Sequence, residues 1–132
     1  MAAKHILIID DDPAMRRLFG GKLAESGFEV IYSGDGDEGR EIARRFQPDL
    51  ILLDMRMPGS DGLEIVRRLH GERQTAHIPV VFLTNEDLSL EGEGYTKEMG
   101  AQGYIHKSTD LDEFVKRIRG FLEVPIKLPP EI

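Results

Sequence analysis

The chain contains no cysteine and no long hydrophobic run. Without cysteine the fold cannot rely on disulfides, and zinc sites with thiolate ligands are excluded. The longest apolar stretches are far shorter than a membrane-spanning helix, and the first five residues lack the apolar segment of a signal peptide. We therefore expect a cytoplasmic protein that does not associate with membranes.

Positive charge is also scarce, because 17 lysine and arginine residues face 24 aspartate and glutamate residues. The formal net charge of −7 disfavours direct binding of nucleic acid by this chain through a basic face. A length of 132 residues suits one domain with a buried core. We assign that domain to residues 1–123 and predict an extended, proline-containing tail over residues 124–132.

Four apolar segments each lead into polar residues that could act together. They are Ile6–Ile9 before Asp10 and Asp11, Leu50–Leu53 before Asp54, Val80–Leu83 before Thr84, and a weaker segment, Gly103–His106, before Lys107. Uniformly apolar runs of this length, separated by helical periodicity, are typical of strands buried on both faces of a parallel sheet. Because parallel strands point the same way, three carboxylates, a hydroxyl and an ammonium would meet at one edge. This combination outlines a metal-dependent phosphoryl site.

The first two segments between these strands have helical patterns. Asp12 and Pro13 predict the N-cap and the first position of a helix that ends near Gly27. A second helix is predicted over residues 37–46. The residues expected to face the core are Met15, Leu18, Phe19 and Leu23 in the first helix, and Ile42, Ala43 and Phe46 in the second.

Three further helices are predicted in the second half of the chain. One follows the loop Met57–Gly62 and is capped by Asp61, and the last begins after its cap, Asp110. The helix between residues 86 and 99 has a thin apolar stripe and two glycines, each of which costs roughly 1 kcal/mol relative to alanine in a helix interior. We expect that helix to be short or mobile.

Five alternating strands and helices predict a flavodoxin-like (βα)5 fold of the α/β class. Its doubly wound, five-stranded parallel sheet would have the strand order 2-1-3-4-5, with helices on both faces. Ligands of such sheets bind beyond the carboxyl ends of the strands, where the strand order reverses. Here that point falls between Asp10 and Asp11 on one side and Asp54 on the other.

Four motifs, in this order along the chain, carry a resemblance to a known family. They are Ile8–Asp12, Pro48–Pro58 with Asp61 and Gly62, Pro79–Thr84, and Gly100–Lys107. Over about residues 4–123 they resemble the receiver domain of two-component response regulators. Each motif is weak alone, and the ordered combination is far more specific.

The resemblance and the charge of the pocket both point to Mg²⁺ as the cofactor. Three carboxylates in one pocket repel one another unless a cation compensates them, and a hard divalent ion with oxygen ligands does this best. By resemblance, Asp11 and Asp54 bind the ion directly, Asp10 binds it directly or through water, and the backbone carbonyl of Arg56 completes the protein ligands. The four histidines, which show no ligand-like spacing and are expected to be surface or structural residues, are His5, His70, His77 and His106.

The resemblance makes Asp54 the phosphoacceptor. It also implies that the Thr84 hydroxyl and the Lys107 ammonium contact the phosphoryl group. Thr84 would then be drawn inward and Tyr104 would turn from exposed to buried, which changes the face formed by the fourth helix, the fifth strand and the fifth helix. Such a protein is not an enzyme for other substrates, because it promotes only its own phosphorylation and dephosphorylation.

The resemblance also implies partners. A sensor histidine kinase or a histidine phosphotransfer protein would donate the phosphoryl group, and a downstream protein effector would read the switched face. The same face allows a homodimer. The sequence leaves open whether this is a stand-alone receiver or one piece of a longer regulator.

Two residues depart from the family's usual pattern. Asn85 follows Thr84 where a small residue is usual, and it could crowd or hydrogen-bond the phosphoryl group. Ser108 follows Lys107 where a cis proline is usual. A cis bond before a residue other than proline costs roughly 2.5–4 kcal/mol, so we predict a trans bond, or a strained cis bond held by packing.

One pairing is expected from the positions of two side chains rather than from the resemblance. Arg56 lies two residues after Asp54, and Glu86 lies two residues after Thr84, so both should flank the pocket mouth. Their pairing would shield a phosphoryl group from water and lengthen the life of the phosphorylated state. An exposed ion pair is worth roughly 0–1 kcal/mol, so the effect would be small.

Three other functions compete with phosphoacceptance. A phosphatase of the haloacid dehalogenase type would use Asp10, but it would leave Asp54 idle. A flavin-binding module of the same topology needs a phosphate-cradling loop after the first strand, where the acidic run would repel phosphate. A receiver-like docking module that takes no phosphate is the third alternative, and the departures at Asn85 and Ser108 keep it open.

Overall fold

The centre of the structure is a parallel sheet of five strands. The computed structural model of the chain describes residues 3–86 and 100–123. The strands are β1 (His5–Ile9), β2 (Glu29–Ser33), β3 (Leu50–Asp54), β4 (Val80–Thr84) and β5 (Gly103–His106), in the order β2-β1-β3-β4-β5. All neighbouring strands pair in parallel. The predicted doubly wound α/β fold and its strand order are confirmed.

Helices follow the strands as predicted within the described residues. They are α1 (Pro13–Glu25), α2 (Gly36–Phe46), α3 (Gly62–His70) and the C-terminal helix (Leu111–Glu123). The side chains of Asp12, Asp61 and Asp110 accept hydrogen bonds from backbone N–H groups in the first turns of α1, α3 and the C-terminal helix, so the three predicted caps are confirmed. None of the described helices is both long and apolar enough to cross a membrane. The helix predicted between residues 86 and 99 and the tail predicted after residue 123 lie outside the described residues.

The sheet separates two apolar cores. One core contains Leu7, Ile9 and Ile51 with residues of α2 and α3, and the other contains Ile6 and Ile8 with residues of α1 and the C-terminal helix. Successive strand residues point to opposite faces, and here both faces are covered. This is why the central strands are apolar at every position rather than at alternate ones.

Two residues expected in the core are exposed instead. Leu18 is 44% exposed and Phe46 is 59% exposed. The apolar stripe of α1 runs through positions 15, 19 and 23, spaced by four, and Leu18 lies about 100° around the helix from Phe19. Phe46 is the last residue of α2, and the guanidinium of Arg45 lies over its ring at 5.9 Å from the centroid.

The segment after β3 contains a short hairpin where only a loop was predicted. Arg56–Met57 pairs antiparallel with Ser60–Asp61. Pro58 and Gly59 form its turn, and Gly59 has a φ of 72°, in the left-handed region that glycine adopts without strain. The hairpin holds the backbone of Arg56 directly beyond the end of β3.

Candidate functional site

Acidic residues meet at the carboxyl ends of β1 and β3. Asp10 directly follows β1 and Asp54 ends β3, and these strands are neighbours with Ile9 opposite Leu53. Asp10 is fully buried, Asp54 is 5% exposed, and Asp11 faces solvent. One carboxylate oxygen from each of the three aspartates lies within 4.8 Å of the other two. The structure therefore brings together the three carboxylates that the sequence placed at this edge.

The ammonium of Lys107 lies between two of these carboxylates. Its Nζ is 3.1 Å from Oδ2 of Asp10 and 3.3 Å from Oδ2 of Asp54, and the side chain is 8% exposed. The backbone N–H of Lys107 donates to the carbonyl of Thr84 at 2.7 Å, which fixes the end of β5 against β4. The described residues contain no cis peptide bond, so the bond to Ser108 is trans, which is the first of the two predicted alternatives.

Backbone groups hold the other oxygens of the buried carboxylates. Oδ1 of Asp10 accepts from the N–H of Asp12 at 2.9 Å, and Oδ1 of Asp54 accepts from the N–H of Arg56 at 3.1 Å. Oδ2 of Asp10 is different, because it accepts no hydrogen bond from the described residues. The Lys107 ammonium, 3.1 Å from this oxygen, compensates its charge electrostatically.

The charges of the cluster shift two pKa values. Burial raises the pKa of Asp54 to about 6; the Arg56 N–H bond and Lys107 oppose this shift, and Asp10 adds to it. Burial disfavours the charge of Lys107, yet the carboxylates of Asp10 and Asp54 together raise its pKa above the usual lysine value. The cluster contains three carboxyl groups and one ammonium, so Lys107 alone does not balance its negative charge.

The donor set fits a small, hard divalent cation. Mg²⁺ prefers oxygen ligands and is usually held by one or two carboxylates while it keeps several waters. Asp54 and Asp10 supply buried oxygens, the latter with an oxygen that lacks a hydrogen bond, and Asp11 supplies an exposed one. Among the residues that the structure describes, these three aspartates form the group of acidic or histidine side chains whose ligand atoms lie close enough together to hold a metal ion.

Thr84 and Tyr104 lie on the neighbouring strands. Thr84 ends β4, is almost fully buried, and accepts a hydrogen bond through its hydroxyl from the N–H of Glu86 at 2.9 Å. Tyr104 is half-buried in β5 and packs against the core on the side of α2 and α3. Its carbonyl accepts from Nη2 of Arg117 at 2.8 Å. Thr84 lies at the end of its strand as expected, Tyr104 is half-buried rather than exposed, and the switching role of both residues stays a prediction.

The expected ion pair between Arg56 and Glu86 is present. Nε of Arg56 lies 2.5 Å from Oε1 of Glu86. The two side chains are 76% and 41% exposed, so the pair sits in water rather than in the protein interior. It joins the segment after β3 to the segment after β4, and its effect on a phosphorylated state stays a prediction.

The comparison with protein families identifies the domain. Residues 6–119 match the family model of the response regulator receiver domain. The chain belongs to this family. Receiver domains are signalling domains of two-component systems.

Relatives of this receiver domain occur in proteins of different length. The chain is 38% identical over 126 residues to the DNA-binding dual master transcriptional regulator RpaA of Synechocystis sp., covering 95% of this chain and 52% of that protein. It therefore spans about half the length of that regulator. It is 32% identical over 120 residues to the polar-differentiation response regulator DivK of Brucella ovis, covering 90% of this chain and 96% of that one.

Solved receiver structures share the fold. The BeF3-activated N-terminal receiver domain of Klebsiella pneumoniae RstA is 35% identical, with a TM-score of 0.80 and coverage of 92% of this chain and 100% of that one. The chemotaxis response regulator CheY4 of Vibrio cholerae is 28% identical, with a TM-score of 0.82 and coverage of 90% and 98%. The fold of this chain is thus that of a receiver domain, and its acidic pocket of Asp10, Asp11 and Asp54 fits the phosphoacceptor site of such domains.

Two sets of hydrogen bonds near the site of this receiver domain could not be predicted from the sequence. Nη1 of Arg16, in α1, donates to the carbonyl of Asp10 at 2.6 Å and holds the backbone at the end of β1. The ring of His106 hydrogen-bonds to both Asn85 and Ser108, the two residues that depart from the family's usual pattern. Histidine spacing alone could not indicate this second contact, because its partners are backbone groups and a serine hydroxyl.

Proposed function

We propose that this receiver domain accepts a phosphoryl group on Asp54 from a histidine kinase or a histidine phosphotransfer protein, in a Mg²⁺-dependent reaction in the cytoplasm. The observation that carries the proposal is the convergence of three aspartate carboxylates and the Lys107 ammonium at one edge of the sheet. A divalent cation with oxygen ligands would neutralise the excess of negative charge at that edge. Asp10, Asp11, Asp54 and the carbonyl of Arg56 would hold it.

The transfer needs an ionised Asp54 in a fixed position. With a pKa of about 6, the Asp54 carboxylate is mostly ionised near neutral pH, and the Arg56 N–H holds Oδ1. A carboxylate oxygen forms a bond to the phosphorus of the donor phosphohistidine, the P–N bond breaks, and the imidazole nitrogen keeps the electron pair. The Lys107 ammonium, 3.3 Å from Oδ2 of Asp54, is placed to meet the phosphoryl oxygens. Bound Mg²⁺ would supply further neutralisation of their charge.

The proposed output is a change of the face that contains β5 and the C-terminal helix. The Thr84 hydroxyl would donate to a phosphoryl oxygen, pull the segment after β4 inward and allow Tyr104 to turn. Thr84 ends the strand next to β3, and its backbone carbonyl already accepts from Lys107, which supports coupling between the two residues. A downstream protein or a second copy of the chain would bind the altered face.

Intact-mass measurement tests the proposal. The wild-type protein is incubated with a small acyl phosphate, once with Mg²⁺ and once with excess EDTA. We expect a gain of one phosphoryl group with Mg²⁺ and no gain with EDTA. No gain in either sample would instead support the docking module that takes no phosphate, and turnover of a generic phosphate ester would support the phosphatase alternative.

The Arg56–Glu86 pair gives a second prediction. Arg56→Ala should speed the loss of the phosphoryl group by at most about fivefold, because an exposed ion pair is worth roughly 0–1 kcal/mol. The substitution keeps the backbone N–H that holds Asp54. The measurement is the decay of the phosphorylated mass after removal of the donor, with Arg17→Ala, an exposed arginine on α1, as the control. Equal decay rates in the wild type and in Arg56→Ala would contradict the shielding role.

A further inference from the structure

The two departures from the family's usual pattern are joined by one side chain. Nε2 of His106 lies 3.0 Å from the carbonyl oxygen of Asn85. On the other side of the ring, Nδ1 lies 3.1 Å from the N–H nitrogen of Ser108 and 2.7 Å from its hydroxyl oxygen. The imidazole therefore links the segment that follows Thr84 to the segment that contains Lys107.

The hydrogen bonds define one state of the ring. The Ser108 N–H can only donate, so Nδ1 must carry a lone pair. In a neutral imidazole the hydrogen is then on Nε2, where it donates to the Asn85 carbonyl. Both contacts are satisfied together only in the neutral ring with hydrogen on Nε2.

Both contacts lie next to the residues that act in the site. His106 is paired with Thr84 in the register of β4 and β5, and the N–H of Lys107 donates to the Thr84 carbonyl. A proline after Lys107 would have no backbone N–H, whereas Ser108 has one, and this N–H donates a hydrogen bond to the His106 ring. The ring thus provides an acceptor for a backbone donor that a proline at this position would lack.

We propose that His106 is a positioning residue for Lys107 and for the segment after Thr84. This inference rests on the proposed function. The lysine side chain is long and flexible, and its ammonium must stay within about 3 Å of two carboxylates to serve the transfer. Fixing the backbone on both sides of Lys107, through Thr84 and Ser108, restricts where that ammonium can reach. The bond to Asn85 links the segment after β4 to the same anchor.

Paired variants at residue 106 test the inference. His106→Gln carries an acceptor and a donor on one planar group, as the imidazole does, while His106→Leu fills space without either. With a small acyl phosphate and Mg²⁺, we expect the phosphorylation rate to fall about tenfold in the leucine variant and to stay within about threefold of the wild type in the glutamine variant. His77→Leu, at an exposed histidine that precedes β4, serves as the control and should phosphorylate at the wild-type rate. Equal rates in all four proteins, or a glutamine variant as slow as the leucine variant, would overturn the inference.

A spectroscopic measurement on the wild type does not depend on the variants folding. The ¹⁵N signals of the His106 ring should show an unprotonated Nδ1 and a protonated Nε2 at neutral pH. The opposite tautomer, or a ring that exchanges between tautomers, would overturn the inference even if the leucine variant did not fold. A wild-type protein that gains no phosphoryl group would contradict the proposed function instead, and the ring signals would still decide whether His106 holds Ser108.

Discussion

Asp54→Asn is expected to gain no phosphoryl group under conditions in which the wild type gains one. The asparagine amide has almost the shape of the carboxylate and can still accept the Arg56 N–H hydrogen bond, so the fold should be retained. However, a neutral amide is not a nucleophile toward phosphorus, and the transfer reaction has no other route to this position. Intact-mass measurement after incubation with a small acyl phosphate and Mg²⁺ gives the result directly.

Asp12→Asn is the matched control for this variant. Asp12 is the N-cap of α1 and accepts from the N–H of Ala14 at 2.9 Å, and asparagine caps helices as well as aspartate does. The control changes a carboxylate to an amide close to the site in sequence and should gain one phosphoryl group like the wild type. A mass gain in Asp54→Asn would place the acceptor elsewhere, with Asp10 as the first residue to examine.

The sheet and the acidic cluster could be predicted from the sequence for the same physical reason. Strands buried on both faces must be apolar throughout, so the polar residues Asp10, Asp54 and Thr84 stand out at the points where strands end. Parallel topology then places those ends at one edge. No side-chain detail is needed for either step, which is why the convergence of the aspartates was obtained. The strand order followed from the doubly wound pattern of five alternating strands and helices.

The features that were missed depend on detail that a sequence pattern does not contain. Phe46 has the right spacing for the core face of α2, but the helix ends at that residue and Arg45 covers its ring. The Pro58–Gly59 turn produces two-residue strands, too short for any periodicity. The role of His106 depends on hydrogen bonds to the backbone of two distant segments, and backbone partners leave no residue type to recognise.

The buried charges also explain why the site is costly without a cation. The pKa of Asp54 lies above the usual aspartate value of 3.8, so its protonated form is favoured by folding. Any stability that this group adds is present below about pH 4 and is lost as the pH rises through about 6. Lys107 also has a raised pKa, but it is a cationic group. The stability that its charge adds is therefore fully present at neutral and acidic pH, and it is lost only above pH 10.5, the pKa of lysine in the unfolded chain. Near neutral pH, Lys107 therefore offsets the penalty of the ionised Asp54 carboxylate, and acid would remove that penalty.

Lys107→Met is expected to have the second large effect, on both stability and phosphorylation. Without divalent cations near pH 7.5, the free energy of unfolding should fall by about 2 to 3 kcal/mol, because the variant leaves Asp10 and Asp54 buried without their ammonium. The value lies below the roughly 3–5 kcal/mol usual for a broken buried pair because Asp11, at the edge of the cluster, is exposed to solvent. With Mg²⁺ and a small acyl phosphate, the phosphorylation rate should fall on the order of a hundredfold, as is usual when one charge-stabilising group is removed.

Urea unfolding followed by circular dichroism, at about pH 7.5 and pH 5 in EDTA, tests the electrostatic origin of the stability loss. At the lower pH, Asp54 is mostly protonated in the folded state, so the deficit of Lys107→Met should shrink by about 1 kcal/mol or more. Lys116→Met, at an exposed lysine of the C-terminal helix, is the control and should lose little stability at either pH. A deficit that is the same at both pH values would mean that Lys107 stabilises the fold by packing rather than by its charge. Added Mg²⁺ should also reduce the stability loss of Lys107→Met near pH 7.5. Like acid, the cation would remove uncompensated negative charge from the carboxylates beside Lys107.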